Sequence, residues 1–98
     1  MAPYCASKGA VITLSSAAAK ESGPRGVRVN VVAPGRTMTP LFAANIVDRT
    51  GMAAAVAAIP LGRLGEPGEL ADAIVYLGSN RASFVNGSVL TVDGGRVG

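Results

Sequence analysis

The chain has 98 residues, 49% hydrophobic and 15% charged, so it is one domain or part of one, with enough apolar side chains for a packed core. Its net charge of +3 comes from scattered basic residues, and only 4% of its residues are aromatic, which argues against a nucleic-acid interface built on basic clusters and base stacking. Without histidine and with one cysteine, the usual zinc ligand sets and a serine-hydrolase triad are excluded, and we expect no metal site.

The apolar runs of the chain are too short for a membrane span. The longest, Ala53–Ile59, is followed by Pro60, whereas a spanning helix needs about 20 apolar residues. The start carries no basic region followed by an apolar segment, as a secretory signal would, and the single Cys5 cannot form an internal disulfide. We therefore expect a cytoplasmic protein that contacts neither membrane nor nucleic acid.

The first predicted elements are a helix and a buried strand. Small and apolar residues at helical spacing predict a helix from about Pro3 to Ser22, which Gly23-Pro24 ends. The valine-rich segment from Val27 to Ala33 is typical of a parallel strand buried on both faces. Pro34-Gly35 marks the end of that strand.

An alanine-rich stretch and a loop follow the strand. The stretch from Pro40 to Ile59 predicts helix with an interruption near Thr50-Gly51. A loop rich in proline and glycine then leads to Pro67, which suits the first position of the next helix. The acids at its start are expected to be caps and solvated charges: Glu66, Glu69 and Asp72. Its residues expected to face inward are Leu70, Ile74 and Leu77.

A last strand is predicted from Ser88 to Val92. The order helix, strand, helix, helix, strand implies a parallel strand pair joined by a crossover. In doubly wound sheets, ligands gather at the carboxyl ends of the strands. This places the expected functional region at residues 34–39.

Tyr4 and Lys8 are four residues apart, about one helical turn, so a helix places both side chains on one face. A neighbouring ammonium favours the phenolate and lowers the pKa of a tyrosine from its ordinary value of about 10. Such a pair suits proton transfer. By spacing alone, a half-buried aromatic beside a solvated lysine is the more common explanation.

Motifs downstream of this pair give it a context. They are Val27-Arg28-Val29-Asn30, Pro34-Gly35, Thr39-Pro40 and Val92-Asp93-Gly94-Gly95. Together with Tyr4-Cys5-Ala6-Ser7-Lys8, this succession resembles the C-terminal half of the short-chain dehydrogenase/reductase family over nearly the whole chain. The resemblance implies an α/β fold, the C-terminal portion of a Rossmann-like doubly wound parallel sheet with about two strands and three to four helices.

The resemblance also implies a site. Tyr4 would be the general acid/base that exchanges a proton with a carbonyl or alcohol substrate, and Lys8 would lower the pKa of Tyr4 and hold the nicotinamide ribose. The hydride would come from NAD or NADP. Thr39 would contact the nicotinamide carboxamide, and it also suits a helix N-cap before Pro40. The cofactor-binding residues would be Tyr4, Lys8, Pro34, Gly35, Thr37 and Thr39.

Further residues take roles from the same resemblance. In similar proteins the stretch after the threonine covers the substrate. Four side chains of this stretch are therefore expected either to line the substrate pocket or to take part in ordinary apolar helix packing: Met38, Leu41, Phe42 and Met52. Asn30 resembles a structural asparagine of the family. Asp93 resembles a strand end at which the family, commonly a homo-oligomer of two or four subunits, builds contacts, although a turn is the simpler role. Residues 59–67 are similar to those of 3-oxoacyl carrier-protein reductases and of many other reductases.

Family features that would precede Tyr4 are missing. The sequence contains no glycine-rich phosphate turn, so adenine and pyrophosphate have no predicted site and only the nicotinamide half-site is expected. We interpret residues 1–98 as the catalytic and substrate-lid half of one domain whose N-terminal dinucleotide-binding half is absent. Such a chain is expected to be inactive alone, and weakly stable or self-associating. The alternative is a non-catalytic fragment or pseudoenzyme that serves only in assembly.

Overall fold

The computed structural model describes residues 2–35 and 49–96. The described elements are helix α1 (Ala2–Ser22), strand β1 (Val31–Pro34), helix α2 (Arg49–Ala57), helix α3 (Pro67–Gly78) and strand β2 (Val89–Val92). The two strands pair in one parallel sheet. This confirms the predicted α/β class and the predicted order of elements.

Helix α1 covers the predicted range and ends where Gly23-Pro24 opens a short 3-10 turn. Gly26 closes that turn with a φ of 77°, a conformation that favours glycine. Near the end of the helix, Ala19 is buried, whereas Val11 and Leu14 are exposed. In the last turns of α1, Ala19 is thus fully buried, while Ala18 and Ser22 are half-buried. None of the described helices is long and apolar enough to span a membrane.

Strand β1 is shorter than predicted. Its first residue is Val31, so the prediction that the strand starts at Val27 is wrong. The reason is a side chain that replaces a strand partner: the Val29 N–H donates to Asn86 Oδ1 at 2.9 Å, while the Val29 carbonyl accepts from the Gly87 N–H at 2.8 Å. Backbone pairing begins at Val31, whose N–H donates to the Ser88 carbonyl at 2.9 Å.

Helix α2 begins at Arg49 and has Thr50-Gly51 in its first turn. Because the residues before Arg49 lie outside the described part of the chain, the interruption near Thr50-Gly51 stays a prediction. A glycine inside a helix costs only about 1 kcal/mol relative to alanine, and the alanines that follow are the best helix formers. Ala55 and Ile59 are buried and give this part of the chain its core. The rest of the predicted helical stretch, residues 40–48, lies outside the described residues.

Helix α3 begins at Pro67 as predicted, but only part of its predicted inner face is buried. Leu77 is buried and Leu70 is half-buried, whereas Ile74 is 58% exposed, so the prediction for Ile74 is wrong. At about 100° per residue, Ile74 is turned by about 40° from Leu70 and by about 60° from Leu77. It therefore lies at the margin of the buried stripe.

Contacts divide the chain into two compact units, residues 1–31 with 76–90 and residues 32–75 with 91–98. Among the described residues of the first unit, the buried apolar ones are Ala19, Leu77 and Ala82. Among those of the second unit they are Ala33, Ala55, Ile59 and Leu64. All seven are small or medium aliphatic residues. Helix α1 belongs to the first unit, and the carboxyl ends of both strands belong to the second.

Candidate functional site

Helix α1 contains both members of the predicted proton-transfer pair. Tyr4 lies in its first turn and Lys8 one turn later, so the helical spacing that the sequence predicts is confirmed. Lys8 is exposed. The side chain of Tyr4 lies outside the described part, so the contact between phenol and ammonium stays a prediction. What the structure supplies is a helix that presents both positions on one face.

Pro34 and Gly35 lie at the carboxyl end of β1, as predicted. Pro34 is exposed, and the Gly35 N–H donates to the Val92 carbonyl at 2.9 Å. A Cβ atom on Gly35 would lie 2.6 Å from Asp93 Cβ and 2.7 Å from Asp93 Cα, closer than any side chain could stand. Glycine is therefore required here by the packing of the two strand ends. Because its N–H is engaged in the sheet, any cofactor contact by Gly35 would use other atoms.

The other predicted binding residues fall mostly beyond the described part of the chain. Thr37 and Thr39 follow Gly35 by two and four residues and lie outside the described residues, as do three predicted pocket residues: Met38, Leu41 and Phe42. Met52 lies in α2 and is half-buried. Their roles toward cofactor and substrate stay predictions.

The end of β2 is a tight turn closed by its own side chain. Asp93 Oδ1 accepts a hydrogen bond from the Gly95 N–H at 2.9 Å. Gly94 and Gly95 have φ values of 64° and 90°, which other residues adopt only at a cost. These contacts agree with the turn role that the sequence favours for Asp93.

A cavity of about 420 Å³ opens beside this turn within the second unit. Its walls combine apolar side chains with an ion pair, in which Arg63 donates to both carboxylate oxygens of Glu69 at 2.7 and 2.8 Å. Glu69 Oε1 also accepts from the Glu66 N–H at 2.9 Å, which caps α3. The hydrogen bond from Arg63, and next that from the Glu66 backbone, lower the pKa of Glu69 to about 2. Glu69 is thus an ionised cap, as predicted, and unsuited to proton transfer near neutrality.

A polar network built on Arg28 and Asn30 lies in the first unit, and the sequence did not predict the partners of Arg28. The Arg28 guanidinium donates to the carbonyls of Val85 (3.1 Å) and Ser79 (3.2 Å). Asn30 donates to the Val85 carbonyl at 3.0 Å, and its Oδ1 accepts from both the N–H and the hydroxyl of Ser88 at 3.0 and 2.8 Å. This confirms Asn30 as a structural residue. The available signal was two polar residues inside a valine-rich run, since buried polar groups require partners.

Within ranges 2–35 and 49–96, no group of three or more histidine, cysteine, aspartate or glutamate side chains could hold a metal ion.

Comparison with known proteins gives concordant matches. A family model described as enoyl-(acyl carrier protein) reductase matches residues 1–96. The chain is 46% identical over 91 residues to the 3alpha-hydroxysteroid dehydrogenase of Mediterraneibacter gnavus. The matched residues make up 93% of this chain and 36% of that protein.

Solved structures agree with this result. The 3-oxoacyl-[acyl-carrier protein] reductase of Brucella melitensis superposes with a TM-score of 0.89 at 41% identity, over 97% of this chain and 35% of that one. A 4-hydroxyisoleucine dehydrogenase complexed with NADH superposes with a TM-score of 0.91 at 34% identity, over 98% and 40%. The chain thus spans between 35% and 40% of the length of these proteins.

Proposed function

Because this chain belongs to the short-chain dehydrogenase/reductase family, we propose that it is the catalytic and substrate-covering part of an NAD(P)-dependent oxidoreductase that interconverts a carbonyl and an alcohol. The observation that carries the proposal is the placement of Tyr4 and Lys8 one turn apart in α1. The bound NADH of the 4-hydroxyisoleucine dehydrogenase supports a nicotinamide cofactor.

Tyr4 is assigned the proton transfer. Its hydroxyl gives a proton to the carbonyl oxygen of the substrate during reduction and takes one from the alcohol during oxidation. The Lys8 ammonium favours the phenolate and so lowers the pKa of Tyr4. The donor set fits the ribose of the cofactor, because an ammonium and a hydroxyl on one helix face can both donate to its hydroxyl oxygens. The cofactor, when bound, supplies the hydride.

The segment after β1 is assigned the carboxamide end of the cofactor, through Pro34, Gly35, Thr37 and Thr39. The position of Pro34 and Gly35 at the carboxyl end of β1 supports this assignment, because ligands of doubly wound sheets gather at the carboxyl ends of the strands. The sequence holds no glycine-rich phosphate turn, so residues 1–98 are proposed to bind the nicotinamide end alone and to be inactive by themselves.

Titration calorimetry with NADH and NADPH tests the half-site. We expect no micromolar affinity from the 98-residue chain, because the adenine and pyrophosphate contacts are missing. Micromolar binding of either dinucleotide would overturn the half-site assignment. Sedimentation of the same sample tests whether the chain forms a homo-oligomer, as we expect.

Absorbance titration of phenolate tests the Tyr4–Lys8 pair. The chain has two tyrosines, so the Tyr76→Phe background isolates Tyr4. In that background, Lys8→Met should raise the pKa of Tyr4 toward about 10, because the stabilising ammonium is gone. Lys20→Met is the matched control, since it removes the same charge from the far end of α1. An unchanged Tyr4 pKa in Lys8→Met would contradict the assigned role of Lys8.

A further inference from the structure

Asn86 and Gly87 form an asparagine–glycine pair in the first unit, and the fold requires both residues. Asn86 accepts from the Val29 N–H at 2.9 Å and donates to the Ala19 carbonyl at 3.1 Å, so the position needs a side chain with both an oxygen and an N–H. Gly87 has a φ of 74°, a conformation that favours glycine. The fold therefore places next to each other two residues that react together.

The reaction open to this pair is deamidation. The Gly87 nitrogen, once it has lost its proton to hydroxide, attacks the side-chain carbonyl carbon of Asn86. A ring C–N bond forms, the bond from that carbon to Nδ2 breaks, and the amide nitrogen takes a proton from water and leaves as ammonia. Water then opens the five-membered succinimide at either carbonyl and leaves aspartate or isoaspartate at position 86. Glycine favours the attack because it has no Cβ to hinder it.

In the folded chain both reacting groups are held by other partners. The Gly87 N–H donates to the Val29 carbonyl at 2.8 Å, so the attacking nitrogen keeps its proton and is directed away from Asn86. The Asn86 amide is held at both ends, by Val29 and by Ala19. Both residues of the pair are exposed, so burial does not protect them from water and hydroxide. Their protection comes from these hydrogen bonds.

Asn30 holds the residues on either side of the pair. Its side-chain amide donates to the Val85 carbonyl at 3.0 Å, and its Oδ1 accepts from the Ser88 N–H at 3.0 Å. The segment must therefore open before the attack is possible. We propose that Asn86-Gly87 is a deamidation site that the native fold keeps closed and that local opening of the first unit exposes to reaction. The proposal does not depend on the proposed function.

Deamidation also weakens the closure of the segment. A carboxylate at position 86 keeps an acceptor for the Val29 N–H, but it has no N–H for the Ala19 carbonyl. Isoaspartate in addition lengthens the main chain by one carbon, which shifts the Gly87 N–H relative to the Val29 carbonyl. The modified chain therefore opens more readily than the parent chain, and the reaction is a one-way loosening of the segment before β1.

Peptide mass spectrometry after incubation at mildly alkaline pH measures the reaction. The samples are the 98-residue chain, folded or in guanidinium chloride, and a synthetic peptide of residues 83–90 in the same two buffers. We expect the denatured chain to deamidate Asn86 at the rate of the peptide, and the folded chain to react at least about tenfold more slowly, the effect of roughly one hydrogen bond. Asn80, also exposed but followed by Arg81, is the internal control and should react more slowly than Asn86 in the denatured chain.

Asn30→Ala tests the closure within the folded chain, because it releases both neighbours and leaves the pair unaltered. It should speed deamidation at least about tenfold over the parent chain, whereas Asn80→Ala, the matched control, should not. If Asn30→Ala unfolds the chain, the comparison of the folded parent with the peptide decides. Equal rates in those two samples would overturn the protection by the fold, and an unmodified Asn86 in the denatured chain would overturn the site.

The loosening is measured on the deamidated chain, which ion exchange separates because the net charge of +3 falls by one. Amide hydrogen exchange by NMR should be about tenfold faster at Val29 and Gly87 than in the parent chain. The Leu61 amide, bonded to the Gly94 carbonyl in the second unit, should keep its parent rate. Unchanged exchange at Val29 and Gly87 would contradict the loosening.

Discussion

Replacing Asn30 by alanine tests the polar network that fixes the start of β1. The substitution removes three part-buried hydrogen bonds, one to the Val85 carbonyl and two from Ser88. At a net value of about 0.5–1.5 kcal/mol each, their loss should reduce the free energy of unfolding by about 2–4 kcal/mol. Ser88→Ala, which removes only the 2.8 Å hydroxyl bond, should cost about 1 kcal/mol.

Urea denaturation followed by circular dichroism measures these losses. The double variant should show a coupling of about 1 kcal/mol, because the Ser88 hydroxyl has lost its partner once Asn30 is gone. Asn80→Ala is the matched control at an exposed position and should stay within about 0.5 kcal/mol of the parent chain. A loss for Asn30→Ala no greater than that for Asn80→Ala would refute the structural role assigned to the network.

Other substitutions have equally definite outcomes. Gly35→Ala should lower the urea midpoint, since its Cβ would meet the Asp93 backbone, whereas Gly68→Ala, with open space around it, should not. Asn86→Ala should destabilise by about 1–3 kcal/mol, because the Ala19 carbonyl and the Val29 N–H both lose a partner; Asn86→Asp, which keeps an acceptor for Val29, should cost less. The pKa of Glu69 is about 2 in the folded chain against an ordinary 4.5, so its stabilising contribution is complete above pH 4.5 and is lost as the pH falls through 2. In an acid titration followed by circular dichroism, the Glu69→Gln variant should therefore not show the loss of stability that Glu69 causes in the parent chain as the pH falls from 4.5 through 2.

The ends of helices were predictable from the sequence where proline or glycine starts or terminates them. Gly23-Pro24 ends α1 and Pro67 begins α3, because proline and glycine act locally on the backbone. The start of β1 was not predictable in this way. It depends on Asn86, a residue 57 positions away from Val29, whose side chain takes the place of a strand partner. Valine content indicates a buried extended segment, but it does not reveal which of its amides find a backbone acceptor.

The candidate site was predictable to a similar degree. The one-turn spacing of Tyr4 and Lys8 follows from helical periodicity, and α1 confirms that the helix covers both residues. The requirement for glycine at position 35 arises from the nearness of Asp93, 58 residues later, and so could not be read from local sequence. The partners of Arg28 were missed for the same reason, because they are carbonyls of residues 79 and 85.

The assignment of Tyr4 as the proton donor is tested most directly in a chimera. Residues 1–98 would replace the matching segment of the Brucella melitensis reductase, to which the chain is 41% identical, and oxidation of NADH or NADPH would be followed with a 3-oxoacyl substrate. We expect an active chimera in which Tyr4→Phe lowers kcat by at least about 100-fold, the range for loss of a general acid. Tyr76→Phe, the same change at the other tyrosine, should leave kcat unchanged. A folded chimera without activity, or one whose kcat survives Tyr4→Phe, would contradict the assignment.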